Sequence, residues 1–448
     1  MRTIWRRSPR TLVAVAISIA AVLAASVMGG CEVTGERPVD APPVPPLVVG
    51  LLLPLSGEHA ILGHSMLDAA RMALEKHSEG QIEILPQDTE GTPDGARQAA
   101  RGALDAGARL LVGPVFRGNA AAVVPLARRA EVAIITFSND RTLSAPGVFV
   151  FGLGPEQKIA RLADLAREKG IDAVGLLAPE SAYSRLILDL MKQEERAGRF
   201  TVSDVVLYPP RTSFPALAPL VATLRHDWRG DGDPDALILP MDGNYLAAVA
   251  QMLRNESEPL QLVSLDLDEP IFNPLGDLDG IWYVFPAGDR ARKRFVRRSI
   301  KALGRRPGWM ELMAYDAVAV IAERAAAAES PVSPVHMTEA RAYAGVTGLF
   351  RFAPGGYVER ALAVKAVGKK RPAIVSPAPA DVAPRAASVV FTVPTAKPDA
   401  VPATAATRPA GATGGLWPLR GTRRRMPRRR PPLRPRKPTC DGRGWPAG

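Results

Sequence analysis

Val48-Val49-Gly50-Leu51-Leu52-Leu53 is an unbroken aliphatic run of strand length, and the period changes after it: Leu62, Met66, Ala69, Ala70, Ala73 and Leu74 recur at helical spacing. A run that is apolar at every position suits a strand covered on both faces. The alternation continues outward. Ile82 to Leu85, Leu110 to Val112 and Val132 to Phe137 read as strands, with helices over 94–106 and 118–130 between them. After Pro155 a second series begins, with strands near 172–177, 201–207, 235–239 and 260–264 and helices near 156–168, 182–196, 213–226 and 243–254. Trp282 to Phe285 adds a strand, 288–303 and 309–327 two helices, and Leu349 to Phe352 and Ala361 to Val367 the last strands. Strands alternating with helices predict two α/β layers, each a parallel sheet with helices on both faces.

The ends differ from this body. The chain has 448 residues and a formal net charge of +12, but residues 31–368 carry −6 on their own. The positive balance comes from Arg2, Arg6, Arg7 and Arg10 and from 17 Lys or Arg after residue 368. A mildly acidic body argues against nucleic acid as its partner. The four N-terminal arginines precede an uncharged run, 11–30, in the order of a secretory signal; the run is also long enough to span a bilayer as an uncleaved anchor. Val27-Met28-Gly29-Gly30-Cys31 resembles a bacterial lipobox, with Met28 where Leu is usual. That makes Cys31 the expected lipidation site, residues 1–30 a lipoprotein signal peptide, and the Pro-rich stretch 31–45 a tether. Only Cys31 and Cys440 occur, too few for a disulfide framework or a Cys-based zinc site. From 368 to 448 a Pro- and Ala-rich composition with an Arg-rich run at 420–437 predicts a disordered tail. On an exported protein those arginines would meet anionic lipid heads or the cell-wall polymer.

Several stretches together carry a resemblance. Val49-Gly50-Leu51-Leu52-Leu53-Pro54-Leu55-Ser56-Gly57, Leu62-Gly63, Gln87-Asp88-Thr89-Glu90-Gly91, Val112-Gly113-Pro114 and Ala314-Tyr315-Asp316-Ala317 resemble the signature stretches of the type I periplasmic-binding family, which includes the Leu/Ile/Val-binding proteins. Phe137-Ser138-Asn139-Asp140-Arg141, Gly345 to Phe352 and Val358-Glu359-Arg360 are most similar to the lipoproteins called penicillin-binding protein activators. The resemblance implies a two-lobed fold with three crossover segments. Lobe one would be 46–153 plus 283–335, and lobe two 154–282 plus 336–367. It implies a non-catalytic envelope lipoprotein that supports peptidoglycan synthesis through a penicillin-binding protein. The alternative is a receptor that delivers an amino acid or similar small polar solute to an ABC permease. Glu32, beside the lipidated cysteine, leans toward the outer membrane.

Enzyme motifs fail on inspection. Gly63-His64-Ser65-Met66-Leu67 starts like a nucleophile elbow, but Leu67 stands where the second glycine is needed, so the stretch reads as a helix start. His59 and His64 are off the same-face spacing of metal pairs, and Asp231, Asp233 and Asp235 lack the glycine and glutamate of a calcium loop. No cofactor and no metal site is expected. A binding cleft has better support, since ligands of open α/β sheets sit beyond the carboxyl ends of the strands. Ser56, Gly57, Phe116, Arg117, Ser138 and Asn139 lie there in the first series, and Tyr183 and Asp242 in the second. Each has a second reading: Ser56, Ser138 and Asp242 as helix caps, Tyr183 as a core residue. Amino-acid receptors of the family keep a serine shortly after the Gly-Pro. Here Arg117 occupies that stretch, either to clamp a carboxylate or to point to solvent.

Overall fold

The computed structural model describes residues 45–78, 80–227, 233–241, 243–254, 260–267, 277–287, 289–327, 337–338 and 342–382. The signal segment, Cys31, the tether up to residue 44, Asp242 and residues 383–448 lie outside the described residues.

The first layer is built from β1 (Leu47–Leu53), α1 (Ala60–His77), β2 (Ile82–Asp88), α2 (Pro93–Asp105), β3 (Leu110–Val112), α3 (Arg117–Arg129), β4 (Ala133–Thr136) and β5 (Val148–Val150). Its sheet runs β2-β1-β3-β4-β5, all parallel. The unbroken apolar runs are explained by burial on both faces. Val49, Leu51 and Leu53 enter one core while Leu52 enters another, and Leu110, Leu111 and Val112 alternate in the same way. One face is covered by α1 and by α9 (Trp309–Ala327), the other by α2 and α3. Helix α9 reads as apolar nearly all round because it is buried between α1 and its neighbours, with Ala314, Ala317 and Ala322 letting it approach closely.

The second layer contains α4 (Pro155–Lys169), β6 (Ala173–Pro179), α5 (Ala182–Arg196), β7 (Thr201–Tyr208), α6 (Phe214–Asp227), β8 (Ala236–Leu239), α7 (Gly243–Arg254), β9 (Gln261–Ser264) and β10 (Trp282–Pro286). After α8 (Asp289–Leu303) and α9 come β11 (Tyr343–Gly345), β12 (Gly348–Phe352), β13 (Val358–Arg360), β14 (Leu362–Ala366) and β15 (Ala373–Ser376). The second sheet has the order β15-β14-β10-β9-β8-β6-β7. Helices α4 and α5 cover one face, and α6 and α7 the other.

Four expectations need correction. The second sheet is mixed, because β14 runs antiparallel to β10 and β15 antiparallel to β14. Residues 283–286 belong to the second lobe rather than the first: β10 pairs with β9 and β14 and sends Tyr283 and Phe285 into the second-lobe core. Residues 343–360 belong to the first lobe rather than the second. They form a small antiparallel sheet, β11-β12-β13, whose Phe350 and Phe352 rings pack on Phe151 and Phe149 at 5.1 Å each. Finally, order extends past residue 368. Arg161, buried in α4, donates from Nε to the Leu362 carbonyl at 3.0 Å and from its fork to Ser376 and Pro377, which fixes β15 on the sheet edge.

Candidate functional site

The register sets Leu53 opposite Asp88, Leu51 opposite Val112, and Val112 opposite Ile135, so the carboxyl ends of β1 to β4 form one edge. Asp88 organises the first loop there. Its Oδ1 accepts from the N–H groups of Leu55 at 2.8 Å, Ser56 at 3.2 Å and Glu90 at 2.8 Å. Burial works against its ionisation, but the Ser56 hydroxyl and these backbone N–H groups outweigh it and hold the carboxyl below its ordinary range. Ser56 is therefore no helix cap: its hydroxyl serves Asp88, and His59 occupies the position before α1. Gly57 turns the loop at φ 73°.

Phe116 precedes α3 and packs on the His59 ring at 4.5 Å. Arg117 is 74% exposed yet not free in solvent, since its Nε donates to the Asp140 carboxylate. Asp140 also accepts from the Thr142 N–H at 3.0 Å and the Thr142 hydroxyl at 2.7 Å, and its own N–H donates to Ser138 Oγ at 3.1 Å. Ser138 is buried and shapes this turn, whereas Asn139 is exposed. Arg117 and Ser138 are thus joined through Asp140, a residue that spacing did not single out. Helices α1 and α3 both begin without a side-chain cap, so their first N–H groups face this edge unsatisfied by side chains.

On the second lobe Tyr183 stands in the first turn of α5 and donates to Asp266 Oδ1 at 3.0 Å. Asp266 follows β9, its N–H bonded to Ser264 Oγ at 3.2 Å, and buried Lys158 donates to the neighbouring Leu265 carbonyl. Asp266 was legible only as a polar residue just past a strand end. The elbow-like Ser65 lies buried in α1. Among the described residues, no group of three His, Cys, Asp or Glu is placed to hold a metal.

The crossings between lobes hold a denser polar cluster, and it gathers stretches noted above only for their resemblance. Asp316 accepts from Val346 N–H at 2.7 Å, Thr347 N–H at 2.6 Å and Thr347 Oγ1 at 2.5 Å. Arg360 donates to Thr347 Oγ1 at 2.9 Å and to the Phe151 carbonyl at 2.7 Å, and its N–H reaches Gln157 Oε1 at 3.0 Å. Arg292 ties the middle crossing, donating to the carbonyls of Val346 at 3.0 Å and Pro286 at 2.9 Å. Full burial raises the Asp316 pKa and lowers that of Arg360 to about 10. Glu156, in the first turn of α4, is also raised by burial, with Arg141 and Asp140 nearby.

Residues 46–372 match the periplasmic binding protein family. A solute binding protein of an ABC transporter from Rhodopseudomonas palustris BisB5, solved with 3,4-dihydroxybenzoic acid, superposes with a TM-score of 0.55 at 21% identity, over 72% of this chain and 94% of that one. The leucine-, isoleucine-, valine-, threonine- and alanine-binding protein from Brucella ovis superposes with a TM-score of 0.60 at 18% identity, over 73% and 91%. At such identities the likeness is one of fold. A curated relative from Rickettsia prowazekii (strain Madrid E), the uncharacterized protein RP748, is 26% identical over 145 residues. That match spans 32% of this chain and 38% of the relative's length.

Proposed function

The chain belongs to the periplasmic binding protein family, and we propose that it is a non-catalytic, lipid-anchored receptor of the cell envelope whose lobes close on a small carboxylate for an ABC-type permease. The observation that carries this reading is the edge of the first lobe, where two helices start without side-chain caps beside an exposed arginine. Backbone N–H groups at helix starts and a guanidinium fork favour an anion. A free amino acid fits less well. Asp88 and Asp140 are engaged by backbone, hydroxyl and Arg117, Asp266 by Tyr183, and burial pushes Glu156 toward its neutral form. An ammonium group would therefore have to compete for each of these carboxylates. Neighbouring structures include one bound to benzoate, which has no amino group.

A second reading is contact with a penicillin-binding protein in support of peptidoglycan synthesis. It is favoured by Arg117 being held by Asp140, inside the stretch most similar to the activator lipoproteins.

Thermal melting separates the two. A ligand at a hundred times its dissociation constant adds about 2.7 kcal/mol by mass action, a shift of several degrees. Benzoate, hydroxybenzoates or aliphatic monocarboxylates should produce such a shift, weakened in Arg117→Ala, while the twenty amino acids leave the midpoint within about a degree. Silence from every carboxylate, with recovery of a penicillin-binding protein by the tagged chain, would transfer the conclusion to the second reading. A clear shift with a single amino acid would keep the receptor and overturn the ligand class.

A further inference from the structure

Helix α8 has one face in the core of the first lobe, where Phe295 packs on Tyr315 at 4.5 Å and Ser299 is buried. Its other face is a row of bases. Arg290, Lys293, Arg294, Arg297 and Lys301 are exposed at three- and four-residue intervals, Arg306 follows just beyond the helix, and Ile300 lies among them 44% exposed. None of these six bases has a carboxylate partner among the described residues, whereas adjacent Arg305 pairs with both Asp68 and Glu311. Residues 31–368 carry −6 overall, so this is a local concentration and not the trend of the surface. Like charges one turn apart repel and weaken a helix. An anionic surface lying against them would reverse the sign of that effect.

We propose that the exposed face of α8 docks the folded body on an anionic lipid surface. Five of the six bases lie along the helix within about 17 Å, an elongated strip that suits a planar array of headgroups. Ile300 amid the cations suits the boundary between headgroup and acyl chain. The bilayer is also within reach. A tether of residues 31–45 extends to at most about 50 Å, so the body and the membrane that holds Cys31 meet at high effective concentration. The inference rests on that envelope anchoring and not on the ligand assigned to the cleft, so the melting experiment can fail without touching it.

Lys293 and Lys301 report contact directly. The full chain is reconstituted into vesicles of phosphatidylcholine alone, or of phosphatidylcholine with phosphatidylglycerol as the minor lipid, and acylated with an amine reagent. Rates are read residue by residue by mass spectrometry, with exposed Lys192 on the other lobe as internal control. One cation at an anionic surface raises local occupancy about fivefold. Both lysines should therefore react at least about fivefold more slowly with phosphatidylglycerol present, Lys192 should be unchanged, and the protection should vanish at high salt. In the Arg294→Glu/Arg297→Glu variant, whose circular dichroism should match the parent, the lysines should react as fast as on phosphatidylcholine. Equal rates on the two vesicles, protection that survives in the variant, or protection that arises on phosphatidylcholine only when solubilised envelope protein is added would each overturn the proposal, the last in favour of an acidic protein partner.

Discussion

Asp140 illustrates how much one side chain settles at this site. It anchors Arg117, accepts both polar groups of Thr142, and directs its N–H at Ser138. Burial alone would raise its pKa, but the Thr142 hydroxyl and the Arg117 guanidinium more than compensate and hold it below 3.8. Below 3.8 the unfolded chain takes up a proton there before the folded one does. The stabilisation is therefore complete above that pH and is lost as the pH falls through the lower folded value. Asp140→Asn should flatten this acid limb in denaturant titrations at successive pH values and cost roughly 1 kcal/mol near neutrality, since Arg117 is largely exposed and screened. An unchanged acid limb would show that the carboxylate does no such work. Glu156 has the opposite sign: burial raises its pKa, so its contribution is greatest below 4.5 and declines as the pH rises through the folded value. Ser56, Arg117, Ser138 and Tyr183 could be picked from the sequence because strand ends mark an edge. That Asp88, Asp140 and Asp266 are their partners came only with coordinates, since pairing across 32, 23 and 83 positions leaves no local pattern.

At the scale of elements, α1 shows packing overruling propensity. Gly63 lies in its first turns, where alanine would be favoured by up to about 1 kcal/mol. A Cβ there would fall on the Pro54 carbonyl, backbone that cannot swing aside. Gly63→Ala should therefore destabilise the chain by about 1–3 kcal/mol, measured by urea unfolding; a gain in stability would mean that the approach of the Pro54 loop is looser than the structure shows. The long elements were legible because each has a buried stripe or an unbroken apolar run. Strands β5, β11, β13 and β15 escaped notice. They are three or four residues long, too short to display a period, and each pairs with a strand that lies close to it in sequence, so nothing but that pairing marks them as strands.

At the scale of the whole molecule, the three crossings behave as one joint. Arg360 reaches the first crossing through Phe151 and lies at the third, Arg292 pins the second, and Trp309 packs against the cores of both lobes while Arg360 lies 5.6 Å above its ring. Removing the guanidinium would take away the cation that favours the charged form of buried Asp316. Arg360→Met should cost about 3–5 kcal/mol, and adding Asp316→Asn should cost less than the sum of the two single changes. Calorimetry should then resolve separate melting of the lobes, and a variant as stable as its parent would refute the joint. The amino-acid sequence by itself determined the layered α/β character, the places of nearly all long strands and helices, the edge formed by the carboxyl ends of the strands, and the contrast between an acidic body and basic ends. Those are consequences of local period, composition and turn chemistry. Only the tertiary structure decided which lobe owns β10 and β11 to β13, that β15 closes an antiparallel edge, and that Asp316, Thr347 and Arg360 meet. Each of those depends on which buried surfaces and hydrogen-bond partners become available once remote segments have packed.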